Sequence, residues 1–432
     1  MSPTSGKLEP NSDLKTARSV LLCGASVRSL AESAIAAGLR PLCVDFFEDQ
    51  DLKNLLAAGR GRFVGRIDSF QQLPKRIRSV RSSIPLLWAG GLENHSTILR
   101  EILRHRPVIG PSLDAVELVR NPWMLRNWTE HSAIGCPRLA RKTTADTECH
   151  WLRKTVRSSG GMGIGGATSD PCDEHAVIFR DGYLQEYIDG VPMSALMVAD
   201  AAGVHLFGTS LQLIGWPSLG ASGFLFCGNM GPVDAGAKVS SQLLEAGTVF
   251  VDRSGLRGVF GIDFILREGR AWLIEVNPRI TASHLLYEFQ QPGLITQQHL
   301  AAFGWKAARV QRRQKQSSST LTAPSSLITA RMILWARKEL RWSGKFDLPH
   351  DPKVLIADYP QPATRIPAGG PLCSILVRAD NIECMLQQIA GSQRPSVKQG
   401  NSLFRRLHRW GYSMPMIADQ LTLLLQRFSA SR

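Results

Sequence analysis

The chain has 432 residues, of which 44% are hydrophobic and 20% charged, as in a soluble globular protein of two to four domains. Its apolar runs are shorter than the about 18 residues of a membrane span, and no charged-then-apolar leader precedes the first predicted strand, so we expect neither a span nor a secretion signal. The net charge is +15, and 305–432 holds 20 lysines and arginines against 7 acidic residues, a difference of 13. This basic region suits a polyanion or simply a solvated surface, and no nucleic-acid-binding motif accompanies it.

The eight cysteines are scattered and form no CxxC pair: Cys23, Cys43, Cys136, Cys149, Cys172, Cys227, Cys373 and Cys384. This pattern favours buried free thiols over disulfides or a zinc site. We therefore expect a protein of the reducing cytoplasm.

The N-terminal part predicts an α/β domain. Residues 1–17 are polar and are expected to be disordered. An apolar strand at 19–23, a helix that ends at Gly38 and a second strand at 40–47 form a β-loop-α-β unit, which begins a parallel sheet. A further strand at 84–91 and the segment 107–111 complete a domain at 18–111, without the GxGxxG pattern of dinucleotide-binding folds.

A basic strand end and a glycine-rich loop come next, after predicted helices within 112–138. The strand at 151–154 ends in Lys154 and leads into 158–166, which contains Gly160, Gly161 and Gly163. Backbone N–H groups of such a loop can hold phosphate oxygens while a lysine neutralises their charge. The loop is not a Walker A sequence, and an ordinary flexible turn is the alternative.

The strand at 182–188 has features of a nucleotide-binding edge. It ends in Gln185-Glu-Tyr-Ile188, directly before Asp189. The backbone of such an edge can bind an adenine, and Glu186 or Asp189 can accept hydrogen bonds from ribose hydroxyls. A plain hairpin strand is the alternative. Further strands are predicted at 204–213 and 222–229, and a helix at 240–254.

The stretch 258–283 predicts a β-hairpin with a metal site. Its apolar arms at 259–266 and 271–276 place Asp263 opposite Glu275, with Asn277 on the same face as Glu275. Facing carboxylates repel each other unless a positive charge lies between them, and Mg²⁺ prefers such oxygen ligands. Arg279 follows as a cation that can bind phosphate. An exposed hairpin with solvated acids is the alternative.

Together these segments resemble the ATP-grasp superfamily over residues 19–303, most specifically in Ile274-Glu-Val-Asn-Pro-Arg279. The resemblance implies an α/β and α+β fold, in which a parallel-sheet (pre-ATP-grasp) domain precedes a two-lobed ATP-grasp domain at 112–303. It implies phosphate contacts for Lys154, a loop closed by Gly160, Gly161 and Gly163, an adenine pocket at Gln185, Glu186, Tyr187 and Ile188, and a ribose contact for Asp189. It also implies that Asp263, Glu275 and Asn277 bind Mg²⁺, or alternatively Mn²⁺, and that Arg279 and Lys154 act in catalysis.

The chain departs from this family at two places. Many members have a first phosphate-binding lysine where this sequence reads Arg120-Asn-Pro-Trp123, so Arg120 or Arg126 would have to replace it. Within this superfamily the chain resembles predicted ATP-dependent carboligases related to biotin carboxylase, and 355–373 looks like their β-rich C-terminal part. However, Ser283 stands where biotin carboxylases have a catalytic glutamate, and no Met-Lys-Met sequence is present. Biotin carboxylation is therefore disfavoured.

The resemblance implies an ADP-forming ligase that activates a carboxylate as an acyl phosphate and joins it to an amine, in one reading for the synthesis of a one-carbon carrier cofactor. The alternative is a non-catalytic ATP-binding regulatory protein whose basic C-terminal region binds a polyanion or a partner. We expect a linker at 304–326, a basic β-rich domain with a helical tail at 327–432, small-molecule substrates, no membrane or nucleic-acid partner, and a homodimer as one option. His284 is either a substrate-site base or a structural residue.

Overall fold

The computed structural model describes residues 18–59, 61–141, 150–166, 182–288, 291–305, 327–344, 353–391 and 407–432. The predictions for 1–17, for nearly all of the linker at 304–326, and for Cys149 and Cys172 lie outside these ranges. The six cysteines within them are free thiols, as predicted; four of these are buried, whereas Cys136 and Cys384 are partly exposed. Across these ranges, no helix is long and apolar enough to cross a membrane.

The N-terminal part is a parallel sheet with the order β3-β2-β1-β4. Its strands are β1 (Ser19–Cys23), β2 (Arg40–Asp45), β3 (Arg62–Arg66) and β4 (Leu86–Trp88). Its helices are α1 (Arg28–Ala36), α2 (Gln50–Ala58), α3 (Leu73–Arg76) and α4 (Ser96–Leu103). Strands of a parallel sheet covered by helices on both faces are often continuous apolar runs. Strand β1 fits this description, with 20–23 all buried, whereas the edge strand β3 has no buried residue. The predicted α/β start of the chain is confirmed.

A small antiparallel sheet follows, in the order β5-β8-β6-β7. Its strands are β5 (Leu139–Ala140), β6 (Trp151–Thr155), β7 (Gly165–Gly166) and β8 (Gly182–Glu186), and helices α5 (Leu113–Val119) and α6 (Pro122–Thr129) precede them. Helix α6 begins where the side chain of Asn121 accepts hydrogen bonds from the N–H groups of Trp123 and Met124, a common N-cap arrangement. This sheet carries the strand that ends in the predicted lysine and glycine-rich loop.

The largest sheet has eight strands in the order β13-β12-β9-β10-β11-β14-β18-β16, and its recorded pairs are antiparallel. Five strands come from the central part of the chain: β9 (Val191–Asp200), β10 (Gly203–Ile214), β11 (Phe226–Val233), β12 (Gly258–Arg267) and β13 (Arg270–Asn277). Helices α7 (Ala237–Ser254) and α8 (Leu294–Ala302) accompany them. The predicted two-lobed α+β architecture is confirmed.

The C-terminal part extends this sheet. It contributes β14 (Ile328–Trp335), β16 (Val354–Ala357) and β18 (Pro371–Ala379), while β15 (Leu340–Arg341) and β17 (Arg365–Ile366) form a two-stranded ladder. Helices α9 (Ile382–Gly391) and α10 (Met414–Ser431) follow. Because β14 pairs with β11, the sheet is continuous between the central and C-terminal parts. The division into domains at the sequence positions given above stays a prediction.

The N-terminal domain shares a hydrophobic core with the large sheet. One cluster of buried side chains includes Leu22 and Leu30 of the N-terminal domain together with Val198 and Val259 of β9 and β12. Burial of apolar surface contributes about 25 cal/mol per Å², so this shared core holds the two parts together. As a result, the loops after β1 and β4 lie beside the central strands.

Candidate active site

The β12–β13 hairpin brings the two predicted carboxylates together through a β-bulge. Its turn consists of Glu268 and Gly269, with φ of +51° and +67°. A two-residue turn with regular pairing would place Asp263 opposite Ile274. An irregularity in the register inserts one residue of β13, so that Glu275 pairs with Asp263 instead. The predicted pair is therefore present, and the bulge establishes it.

An amide group lies between the two carboxylates. Asn277 Nδ2 donates to Asp263 Oδ2 at 3.0 Å and to Glu275 Oε1 at 3.2 Å, and Gln212 Nε2 donates to Asp263 Oδ1 at 3.0 Å. Burial and the charge of Glu275 raise the pKa of Asp263 well above its usual value. Burial would also raise the pKa of Glu275, but Arg120 and Lys154 outweigh it and hold that pKa low. The site thus holds two carboxyl groups of unequal acidity.

These three side chains fit a magnesium ion. Among the described residues, no group of three or more His, Cys, Asp or Glu side chains is arranged to hold a metal. The donors would be the two carboxylates and the Asn277 amide oxygen, which here accepts a hydrogen bond from Arg279 Nη2. A cation would relieve the repulsion that raises the pKa of Asp263. Mg²⁺ uses few protein oxygens and completes its shell with water and phosphate. Asp263, Glu275 and Asn277 therefore stay the predicted ligands.

Two cations lie next to the carboxylates, of which Lys154 is buried and Arg120 is partly buried. Lys154 is 8% exposed, and burial lowers its pKa to about 8, against the opposing effect of Glu275 and Asp263. Arg120 Nη1 donates to Glu275 Oε2 at 3.1 Å. Both residues line the central cavity, whereas Arg126 is not among its lining residues. Of the two arginines considered as replacements for the first lysine, Arg120 is the one at the site.

Arg279 is fixed by a buried acid of the N-terminal domain. Its Nε donates to Glu93 Oε1 at 2.7 Å, and its Nη2 donates to Asn277 Oδ1 at 3.3 Å. The Glu93 side chain is 1% exposed, and its other oxygen has no hydrogen-bond partner among the described residues. The Arg279 guanidinium also packs close to Gly90, where a Cβ would lie 3.3 Å from it. The loop after β4 therefore orients Arg279.

The glycine-rich loop is docked against both neighbouring lobes. Phe226 N donates to Gly160 O at 3.0 Å, and Ser158 O accepts from Asn94 Nδ2 and Arg120 Nη2, each at 3.2 Å. The three predicted glycines have φ of +65°, +77° and +79°, a region that L-residues with side chains rarely adopt. Gly160 and Gly161 line the cavity, and Gly163 is not among the lining residues. The loop thus closes one side of the site.

The predicted adenine edge lies along the same cavity, with Gln185, Glu186, Tyr187 and Ile188 among its lining residues. The carboxylate of Glu186 accepts from the Arg138 N–H at 3.0 Å. The ring of Tyr187 makes an edge contact with Phe224, with 6.4 Å between the ring centroids. However, β8 pairs with β5 on one side and with β6 on the other, and the N–H groups of Glu186 and Tyr187 donate to Arg138 O and His150 O. These residues line the cavity without forming a free strand edge, and their contact with adenine stays a prediction.

Asp189, the predicted ribose contact, lies outside the cavity wall that the other predicted nucleotide-binding residues at 185–188 form. Asp189 is not among the residues that line the cavity, and its side chain is 73% exposed. Its Oδ1 accepts from Arg427 Nη2 of α10 at 2.9 Å, and Arg427 itself does line the cavity. The C-terminal helix therefore reaches the end of the site at which Asp189 was expected to act.

All these groups surround one cavity of about 570 Å³, a volume in the ordinary range for small-molecule sites. Sequence reasoning missed several of its polar residues, namely Ser26, Ser29, Gln212, Asn229 and Arg331. Two signals could have found some of them. The serines follow the carboxyl end of a parallel strand, where ligands bind in open α/β sheets, and Arg331 interrupts the apolar strand β14.

His284 and Ser283 lie in the cavity wall with polar partners. His284 Nδ1 lies 2.8 Å from Thr281 O, and its Nε2 lies 3.4 Å from Ser29 O. The hydroxyl oxygens of Ser283 and Thr281 are 2.7 Å apart. These contacts favour the structural reading of His284, and they leave a hydroxyl at the position where biotin carboxylases have a glutamate.

Comparison with known proteins agrees with this architecture. Residues 119–283 match the family model described as the ATP-grasp domain. Within these residues the chain is therefore similar to ATP-grasp domains. No curated protein sequence matches the chain, so the remaining comparisons are structural.

Solved structures share the fold of the ATP-grasp domain and its flanking parts at low sequence identity. Biotin carboxylase from Campylobacter jejuni, in complex with β,γ-ATP, has a TM-score of 0.68 and 14% identity, covering 94% of this chain and 96% of that one. N5-carboxyaminoimidazole ribonucleotide synthetase from Thermus thermophilus has a TM-score of 0.60 and 13% identity, covering 88% and 99%. The biotin carboxylase domain of 2-oxoglutarate carboxylase from Hydrogenobacter thermophilus, with MgADP and bicarbonate, has a TM-score of 0.64 and 11% identity, covering 94% and 98%. The predicted fold is therefore confirmed from the N-terminal domain to the C-terminal strands.

Proposed function

We propose that the chain is an ATP-dependent, ADP-forming ligase that activates a carboxylate and joins it to an amine. The observation that carries this proposal is the meeting of Lys154, the facing pair Asp263 and Glu275, and Arg279 in one cavity beneath a docked glycine-rich loop. Phosphoryl transfer depends mainly on positioning and on neutralising charge. This set of side chains supplies both.

The residues divide into a nucleotide end and a reacting end. The segment 185–188 would hold the base, while Lys154 and Arg120 would meet the phosphates beneath the loop. Asp263, Glu275 and Asn277 would hold Mg²⁺. When bound, that ion neutralises phosphate charge. Arg279, held by its buried ion pair, would orient the oxygens of the carboxylate that reacts.

The proposed reaction has two balanced steps. A carboxylate oxygen attacks the γ-phosphorus, the bond to the β–γ bridging oxygen breaks, and ADP leaves with that electron pair. The amine nitrogen then attacks the acyl carbon, phosphate leaves with the electrons of the C–O bond, and the nitrogen loses a proton to phosphate or water. No enzyme nucleophile is needed, because the cavity positions both substrates.

The structural relatives support the nucleotide part of this proposal. One of them is a complex with β,γ-ATP, and another is a complex with MgADP and bicarbonate. Bicarbonate is accordingly one carboxylate to test, beside larger acids. A precursor of a one-carbon carrier cofactor is one acceptor of this chemical kind. Ser283 at the position of the family's catalytic glutamate argues against biotin as the acceptor.

The test is release of ADP and phosphate from Mg·ATP, with and without a small-metabolite extract and bicarbonate. We expect extract-stimulated release that is lost in Asp263→Ala and Glu275→Ala and kept in Glu245→Ala, an exposed acid on α7. Mass spectrometry of the consumed metabolites would then identify the substrates. Unimpaired ADP formation in both site variants would overturn the metal assignment.

A non-catalytic ATP-binding protein is the competing function. Its main support in the sequence is the missing first lysine, and Arg120 in the cavity offers a replacement for that charge. Tight binding of Mg·ATP without ADP release under any addition would favour this alternative.

A further inference from the structure

A row of polar side chains crosses the large sheet from the metal hairpin to the C-terminal strands. Asp263 of β12 pairs with Ser194 of β9, Gln212 of β10 pairs with Asn229 of β11, and Asn229 pairs with Arg331 of β14. All five residues line the central cavity. The row therefore continues the floor of the site beyond the predicted magnesium ligands, toward the part of the cavity nearest β14.

Asn229 carries an unused hydrogen-bond acceptor in this row. The residue is 2% exposed, and no described residue donates a hydrogen bond to its Oδ1. A buried acceptor left without a donor is costly, and natural proteins usually satisfy such groups with a protein group, a water or a ligand. Because Asn229 lines the cavity, a ligand with an N–H group can supply the missing donor.

Arg331, which pairs with Asn229 across the strands, brings a positive charge to the same cavity. The residue is 9% exposed, its Nη2 donates to Asp358 Oδ2 at 2.8 Å, and its Nε donates to Ser374 Oγ at 3.3 Å. The Asp358 carboxylate also accepts from Arg28 Nε at 2.6 Å, so one carboxylate serves two guanidinium groups. These bonds fix the orientation of Arg331, and within the described residues its Nη1 makes no hydrogen bond.

Asn229 and Arg331 extend into the same cavity from paired positions of neighbouring strands, so one small molecule can reach both. Directly paired residues of neighbouring antiparallel strands have Cβ atoms about 4.5–5.5 Å apart, and Asn229 and Arg331 are such a pair. A guanidinium group binds carboxylate or phosphate oxygens strongly. The cavity thus presents both an N–H acceptor and an anion-binding cation.

We propose that the amine substrate carries a carboxylate or phosphate group a few bonds from its nucleophilic nitrogen. Asn229 Oδ1 accepts a hydrogen bond from that nitrogen, and Arg331 binds the anionic group. This inference rests on the proposed ligase function of the cavity. It adds the chemical class of the acceptor and assigns Asn229 and Arg331 as the residues that select it.

The experiment measures binding of matched amines to the full chain by calorimetry in the presence of Mg·ADP. The probes are β-alanine against β-alaninamide, glycine against glycinamide, and O-phosphoethanolamine against ethanolamine. In the wild-type protein we expect the anionic member of at least one pair to bind roughly 10- to 100-fold more tightly, the range for a hydrogen bond to a charged group. The carboxylate and phosphate pairs distinguish the two sources of negative charge.

Three variants separate the roles. Arg331→Gln should remove the preference for the anionic member, whereas Asn229→Leu should weaken both members of a pair. Because Asn229→Leu replaces an unpaired buried acceptor with an apolar group of similar size, its melting temperature should not fall. Arg365→Gln, at an exposed arginine of β17, is the matched control and should leave binding unchanged.

The inference is overturned if each pair binds equally to the wild type, if Arg331→Gln keeps the preference, or if no probe binds at millimolar concentration. ADP release in the same samples, with bicarbonate present, tests the proposed function separately. If neutral and anionic amines stimulate ADP release equally, the proposed ligase function stands and this inference fails. If anionic amines bind selectively but no ADP is released, this inference stands and the proposed ligase function fails.

Discussion

Replacing either of two neighbouring loop glycines with alanine should have very different effects on nucleotide binding. Gly160 and Gly161 both have positive φ, of +65° and +77°, so alanine at either position costs roughly the same 1–2 kcal/mol of left-handed strain. A Cβ on Gly160 would have nothing within 4 Å, whereas one on Gly161 would lie 1.8 Å from Phe224 O. Only Gly161→Ala therefore forces the loop away from the segment on which it is docked.

The size of the difference follows from the contact that is lost. Moving the loop breaks the hydrogen bond from Phe226 N to Gly160 O, which measures 3.0 Å. An N–H group left unpaired in a buried place costs about 1–3 kcal/mol. If the docked loop is the nucleotide-binding form, Gly161→Ala should bind Mg·ATP roughly 5- to 150-fold more weakly than Gly160→Ala.

The assay is equilibrium titration of both variants with a non-hydrolysable Mg·ATP analogue, together with thermal denaturation. The melting temperature of Gly161→Ala should be somewhat lower than that of Gly160→Ala, because the backbone strain is similar and only Gly161→Ala loses the docking hydrogen bond. Equal affinities for the analogue would refute the reasoning, since they would mean that loop docking against Phe224 does not contribute to nucleotide binding.

Three further predictions concern buried and exposed charges. Burial and three neighbouring aspartates raise the pKa of Asp49 from 3.8 to about 9. Between these two pH values the folded protein keeps a proton that the unfolded chain has lost. The free energy of unfolding therefore falls as the pH rises from about 3.8 to about 9. Asp49→Asn should therefore raise the melting temperature at pH 8 and flatten its dependence on pH; an unchanged pH profile would contradict this. Glu93→Gln removes a buried carboxylate and leaves its partner Arg279, whose side chain is 12% exposed, without a counter-charge. We expect a loss of about 3–5 kcal/mol in chemical denaturation, together with loss of ADP release. Native-like values of both would show that the pair does not hold Arg279. Arg427→Ala breaks an exposed ion pair with Asp189, worth at most about 1 kcal/mol, so its melting temperature should hardly change, and a large drop would mean that α10 depends on this contact.

The local parts of the fold could be predicted from the sequence because short-range patterns encode them. The apolar run of β1 and the two arms of the hairpin were placed within a few residues. Strand β9 was missed. It lies in the middle of the sheet with nearly all its residues buried, so it shows no alternation, and its Met, Ala and Leu residues also favour helix.

The hairpin illustrates a correct result with an incomplete reason. The sequence predicted that Asp263 faces Glu275, but the turn length alone would have paired Asp263 with Ile274. A bulge depends on the packing of both strand faces, and no residue pattern announced it. The sequence could therefore predict that the two carboxylates belong to one site, but it could not predict the strand register that brings them face to face.

The remaining parts of the site depend on long-range pairing. Glu93 reaches Arg279 across 186 positions, and Asn229 meets Arg331 only because β14 of the C-terminal part pairs with β11. Such contacts arise from the order of strands in the sheet. For Asp189 the sequence suggested a ribose contact, and the position of Arg427 beside it could not be foreseen from either segment.

The most direct test of the central claim is ³¹P NMR of the products formed from Mg·ATP and bicarbonate with the anionic amines, for the wild type and for Glu275→Ala. The account predicts ADP and inorganic phosphate in the wild type, with neither formed in the variant. AMP and pyrophosphate as the products, or equal ADP formation in both proteins, would contradict it.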